Sequence, residues 1–176
     1  MPMETPQSST AIVYTGKMAY TPEYIVKLNA LGQLFRMEFT EKIREEEGGT
    51  YGVSVHQEAE KLPKEGFTLQ FQFDTDPDKR DELVKVMDNI TTGIRKEGPS
   101  EEMVQKIKEY MLKQHTDDLK KNEYALFNTW QYYVHGIDRE VDYVKNVNEL
   151  SVESLRQFTE QLLGQGNRVE VSMTAQ

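Results

Sequence analysis

An α+β fold, with a mainly antiparallel sheet and several helices packed on one face, is predicted for this 176-residue chain by three observations. Two segments near one another alternate apolar and polar residues with a period of two. Several later segments carry apolar residues at spacings of three and four. The order strand, helix, strand, strand, several helices, strand gathers the helices after the strands, which suits a layer of helices on an antiparallel sheet.

Each element has its own signal. Residues 10–15, TAIVYT, are β-branched and apolar and predict a strand. The polar stretch before them, residues 1–9, is expected to be a disordered lead-in, so that a single α+β domain spans 10–176. Thr21 and Pro22 are an N-cap and a first helical residue. Leu28, Leu31, Phe35, Phe39 and Ile43 then form one apolar face of a long helix that reaches about residue 46, where Gly48 and Gly49 stop it. Tyr51, Val53 and Val55 alternate with Gly52, Ser54 and His56. Phe67, Leu69, Phe71 and Phe73 alternate with Thr68, Gln70, Gln72 and Asp74, and the short turn between the two runs predicts an antiparallel hairpin.

Asp76–Pro77 repeats the cap-then-proline start, with Leu83, Val86, Met87, Ile90 and Ile94 lining a helix that ends at Gly98. Ser100 caps the next helix, whose buried side is assigned to Met103, Ile107, Tyr110 and Met111. EYALFNTWQYYVHG reads as an aromatic-rich helix packed into the protein, and REVDYVKNVNEL as a weaker one. Ser151 caps a helix carrying Val152, Leu155, Phe158, Leu162 and Leu163, and NRVEVSM reads as a strand.

Composition narrows the function. Hydrophobic content of 37% and charged content of 29% suit a soluble globular domain. A net charge of -9 argues against nucleic acid and against an anionic membrane surface as partners. No apolar run approaches the ~20 residues of a membrane helix. The absence of cysteine excludes disulfides and thiolate metal sites, and leaves the compartment open between periplasm and cytoplasm.

Most motifs tested carry no chemistry. His56, His115 and His135 are far apart and none forms a paired zinc motif. His56, Glu58 and Glu60 share a strand face, which reads as a solvated polar face before a metal site. Glu45, Glu46 and Glu47 point three ways around a helix, since successive residues turn by about 100°. GGTYG lacks the spacing of a phosphate loop and follows a helix instead of preceding one. No G-x-S-x-G appears. Phe127, Trp130, Tyr132 and Tyr133 could stack bases or sugars, but burial in a packed helix accounts for them.

Arg44 and Tyr51 remain. The first stands in the last turn of the long helix, the second opens the next strand, and the glycine pair between them reverses the chain. A guanidinium and a phenol at one end of the sheet suit peptide carbonyls or a developing oxyanion. On residues alone the alternative stays open that Tyr51 packs and Arg44 pairs with a glutamate.

The stretch LGQLFRMEFTEKIREEEGGTYGVSV resembles the C-terminal half of pitrilysin/insulinase-type zinc metallopeptidases. The likeness runs on through GFTLQFQFDTDPDKRDELVKVMDNI, EGPSEEMVQKIKEYMLKQ and NRVEVSM. This resemblance implies the non-metal half of a clamshell enzyme, whose N-terminal half holds zinc with an inverted H-x-x-E-H motif. It implies that Arg44 and Tyr51, seven positions apart, reach the peptide substrate in the closed shell, with Tyr51 at the oxyanion. No residue of this chain is expected to bind zinc or to act as general base, and the isolated chain is expected to be inactive. The implied partner is the N-terminal zinc-binding half, in the same polypeptide or in another subunit. Two other readings stand beside it: a catalytically silent scaffold or interaction module with the same fold, and a domain that binds peptides by strand addition at an exposed sheet edge.

Overall fold

The computed structural model describes residues 7–47 and 52–174, and the side chains of 44–47 lie outside what it describes. Four strands form one antiparallel sheet: β1 (Ser8–Gly16), β2 (Ser54–Glu60), β3 (Gly66–Thr75) and β4 (Arg168–Thr174), in the order β2-β3-β1-β4. Helix α1 (Pro22–Glu47) joins β1 to β2. A short 3-10 turn at Pro77–Lys79 leads into α2 (Arg80–Glu97), followed by α3 (Glu101–Asp118), α4 (Asn122–His135), α5 (Tyr143–Asn148) and α6 (Val152–Leu163).

The period-two pattern of β3 does what it predicts. Phe67, Leu69, Phe71 and Phe73 are buried, and their neighbours on the inner face of β1 are Ile12 and Tyr14. The apolar stripe of α1 closes on this face: Leu28, Leu31, Leu34, Phe35 and Phe39 are all fully buried. Phe71 stands in the centre of an aromatic cluster, 4.9 Å from the ring centroids of both Phe35 and Phe39 and 5.8 Å from Tyr14. Helix α6 packs on β1 and α2 on α6, so the helices cover one face of the sheet.

Several caps match the expectation. Thr21 Oγ1 accepts from the Tyr24 N–H at 3.2 Å, and Ser100 Oγ from the Met103 N–H at 3.1 Å. Ser151 and Ser154 exchange reciprocal bonds as a capping box. Gly98 ends α2 at φ 82°, a left-handed conformation that disfavours any Cβ.

Four details differ from the sequence reading. Strand β1 begins at Ser8, because the Ser8 and Ser9 backbones pair with both β3 and β4 and Ser8 is wholly buried. Asp76 makes no side-chain cap bond, and the proline start gives one 3-10 turn before α2 proper. Tyr110 is 47% exposed; the buried row of α3 is Met103, Ile107, Met111 and His115, with Val104 beside it. The weak helix over 139–150 shrinks to α5, anchored by the buried Val147.

Helix α4 reverses the packed-helix expectation. Leu126, Phe127, Trp130, Tyr132 and Tyr133 are exposed, Tyr133 at 81%. The inward face instead carries Tyr124, Asn128, Gln131 and His135, at helical spacings of four, three and four. Replacing Phe71 by Ala is expected to cost about 3–5 kcal/mol. Urea unfolding should show a lower midpoint at unchanged slope; a loss below 1 kcal/mol would mean that the cluster is not the centre of the core.

Candidate functional site

Helix α1 and strand β2 are held together by their own side chains. Arg36 Nη2 donates to the Val55 carbonyl at 2.8 Å, while its Nη1 donates to Gln33 Oε1 at 2.7 Å. Four residues earlier on the helix, Gly32 leaves room for Gln57: a Cβ there would lie 2.3 Å from Gln57 Oε1. The helix therefore runs close along the strand, with Ile43 buried in its penultimate turn. Arg44 belongs to the last turn of α1, and its side chain lies outside the described residues. Tyr51 also lies outside the described residues.

None of the three histidines joins a metal cluster: among the described residues no group of three His, Asp or Glu side chains could hold a metal ion. His56 is exposed on the outer sheet face, 3.8 Å from the Glu58 carboxylate. His115 has a different surrounding. Its Nε2 meets Glu140 Oε2 at 2.8 Å, and its ring stacks on Tyr143 with centroids 4.2 Å apart. Glu140 also accepts from Tyr124 Oη at 2.5 Å and from Asn128 Nδ2 at 2.9 Å. One carboxylate thus ties α3, α4 and the loop before α5 together.

The electrostatics follow from this convergence. Burial opposes the charged form of Glu140, but the hydrogen bonds from Tyr124 and His115 outweigh it and hold the carboxyl below its ordinary value. Burial first, then the hydrogen bond to Glu140, raises the Tyr124 phenol. Burial and the Glu140 charge push Tyr143 up to about 12.

Two cavities lie under α4. One, of about 240 Å³, opens between α1, α3 and α4 near Asn29, Arg36, Gln57, Tyr124 and Arg139. The other, of about 560 Å³, lies between α4 and β2. They share Ile25, Asn29, Gln57, Phe127 and Arg139 in their walls, so they are neighbours. Helix α4 spans them on polar tethers: Tyr20 Oη donates to Gln131 Oε1 at 2.7 Å, and Lys61 Nζ donates to the His135 carbonyl. The sequence reading missed this region. The signal was present, since the four polar residues of α4 repeat at helical spacing, but the aromatic residues between them drew the apolar assignment.

Comparison with known proteins follows from this architecture. A family model described as the peptidase M16 inactive domain matches residues 1–111. No curated protein matches the chain. Among solved structures, the periplasmic protease PqqL from Escherichia coli superposes with a TM-score of 0.81 at 14% identity, over 97% of this chain and 19% of that one. A peptidase M16 inactive domain from Pseudomonas fluorescens gives 0.78 at 18% identity, over 98% of this chain and 41% of that one. The inactive peptidase domain attributed to a zinc protease from Bordetella parapertussis gives 0.73 at 12% identity, over 98% of this chain and 93% of that one. The chain therefore spans about a fifth of PqqL and about two fifths of the Pseudomonas protein.

Glu140→Ala is expected to lower stability by about 2 kcal/mol, because it strands three donors. In a chain of this size that is about 4–8 °C in Tm. The carboxyl is depressed in the fold, so its contribution is complete above the unfolded value of about 4.3 and is lost as pH falls through the folded value. Melting curves against pH should therefore converge for wild type and Glu140→Gln at acid pH; parallel curves would deny the carboxylate this role.

Proposed function

The chain belongs to the peptidase M16 inactive-domain family, and from that premise we propose that it is the non-catalytic, substrate-contacting domain of a two-part zinc peptidase. The observation that carries the reading is the extent of the family match, residues 1–111, which takes in α1, β2 and the positions of Arg44 and Tyr51. Zinc belongs to the N-terminal half in this reading, as part of the same polypeptide or of a partner subunit. The described residues of this chain offer the ion no cluster of ligands.

Covalent geometry supports a shared rim for the two residues. The Arg36–Val55 bond fixes one point where helix and strand meet. Arg44 stands eight residues along the helix from that point, about 12 Å away. Tyr51 stands four residues before Val55 and is confined by chain length to about 14 Å of it. In this reading a side chain from each meets in a common volume beyond the start of β2, which these limits allow.

At that rim Tyr51 donates its phenolic hydrogen to the oxygen that becomes negative as the scissile carbonyl turns tetrahedral. Arg44 holds a neighbouring carbonyl of the substrate with its guanidinium fork, which fixes the peptide in register. Neither residue takes a proton from water. Their effect is to bind the transition state more tightly than the ground state.

The test is Tyr51→Phe in the assembled enzyme. Loss of one oxyanion donor is expected to lower turnover about 10²–10³-fold with KM little changed and the circular dichroism spectrum intact. Unchanged turnover would remove Tyr51 from the chemistry. If the zinc half and this chain together cleave no peptide, the silent-scaffold reading replaces this one.

A further inference from the structure

Strand β4 stands at one margin of the sheet, and its sequence RVEVSMT is divided by face. Arg168, Glu170 and Ser172 turn to the helix layer. Arg168 Nη2 donates to Asp88 Oδ1 at 3.1 Å, Arg80 Nε to Ser172 Oγ at 3.0 Å, and Arg80 Nη2 to the Glu170 carboxylate. Val169, Val171 and Met173 turn to the outer face, where they are 59%, 54% and 71% exposed. The register with β1 sets Val13 beside Val169 and Ala11 beside Val171. One strand further in, the same rows carry Gln70 and Gln72, and on β2 they carry His56 and Ser54. The outer face is therefore apolar toward β4 and polar toward β2.

A margin strand presents N–H and C=O groups without ladder partners, and proteins blunt such edges with lysine, proline, bulges or inward charges. β4 contains neither lysine nor proline, and it pairs with β1 in unbroken register from Ser8–Thr174 to Tyr14–Arg168. Its two charges, Arg168 and Glu170, do point inward, but each already has a partner of opposite sign within the chain. The edge is thus straight, apolar on one side and electrically balanced on the other.

The segment that fits this edge is the same sequence running the other way. Around a twofold axis through Val171, all seven residues of β4 pair with a second β4. On the outer face Val171 then meets Val171 of the second copy, and Val169 meets Met173. On the helix side Glu170 meets Ser172 and Arg168 meets Thr174, so no charge directly faces its like. Sliding by one residue would put apolar side chains against polar ones. Sliding by two in one sense sets Glu170 against Glu170, and in the other sense it only shortens the ladder. One register therefore combines the longest overlap with matched faces. A lone added strand would find no wall here, because β4 is exposed along nearly its whole length.

We propose that β4 is a self-association edge: two copies of the chain pair β4 to β4 around a twofold axis at Val171 and join their four-stranded sheets into one, with all helices on the same face. This goes beyond the contact at Arg44 and Tyr51 and does not depend on it. Edge pairing buries less than the ~1,600 Å² of a standard interface, so the dimer is weak, with a Kd of about 10–100 μM. Each copy carries a net charge of -9, so repulsion opposes the dimer and salt, by screening it, tightens it.

The test is sedimentation velocity of the full chain over a concentration series that brackets this Kd. The mass should rise from monomer to dimer, and the transition should move to lower concentration as salt is raised. Val171→Lys sets two lysines opposite each other at an exposed position and should weaken the dimer about tenfold or more, with the circular dichroism spectrum unchanged. The chain has no cysteine, so Val171→Cys supplies one thiol per copy. A short bismaleimide should join two such copies in high yield. Gln72→Cys should not be joined, since the two residues 72 would stand five strand spacings apart, about 24 Å. A chain that stays monomeric throughout, a dimer indifferent to Val171→Lys, or cross-linking at position 72 in place of 171 would overturn the proposal. So would a monomeric chain whose β4 amide resonances shift on adding a threonine–valine peptide, which would give the edge a different occupant.

Discussion

Strand β3 buries a phenylalanine or leucine at every second position from Phe67 to Phe73, and α1 buries one at every third or fourth from Leu28 to Phe39. These two periodicities meet at Phe71, whose ring contacts Phe35 and Phe39 at once. Everything else is placed by that meeting. Because α1 is fixed on the sheet, its last turn and the start of β2 come to one end of the molecule. Because β3 is interior, β2 becomes a margin with a free side. Removing a large ring at this crossing leaves a void that neighbouring elements cannot close without moving the helix.

A second, polar organisation sits beside the core. Helix α4 contributes little to the apolar interior; its inward face carries only polar side chains, bound to Glu140, Tyr20 and the cavity walls. The hydrogen bonds that hold it are directional and depend on a single carboxylate at one end and a tyrosine and a lysine at the other. The helix consequently keeps its distance from α1 and β2, and the space beneath it stays open. A helix with leucines at 124, 128, 131 and 135 would collapse onto α1 and close the groove.

The parts of this fold that are legible in sequence are those set by strong local periodicity. The alternation in β3, the stripe of α1 and the serine caps at Ser100 and Ser151 each follow from one physical rule, and tertiary contacts reinforce them. The errors arise where a rule is met halfway. Asp76–Pro77 has the composition of a cap but folds as a 3-10 turn, since proline at the first position fixes φ without supplying a side-chain bond. Tyr110 lies one position from Met111, at the rim of the buried row, and turns to the cavity. In α4 the aromatic residues outweighed a polar pattern of equal regularity. The resemblance to a peptidase family was legible as an ordered set of segments, and it agrees with the inactive-domain match. Arg44 and Tyr51 rest on that resemblance and on chain geometry, because the structure does not describe their side chains.

The pairing of β1 with β4 has a kinetic side. Thr10 Oγ1 and Ser172 Oγ lie 2.9 Å apart although 162 positions separate them in the chain. Strand β1 is interior to the sheet, so its second neighbour arrives only with residues 168–174. During synthesis β1, α1 and the hairpin can assemble early, yet one side of β1 stays bare until residues 168–174 have left the ribosome. Contacts of such long range slow folding by the entropy of closing the loop. Over that interval the naked margin of β1 is open to mispairing, and a holdase or a slow pause in translation would bear directly on yield.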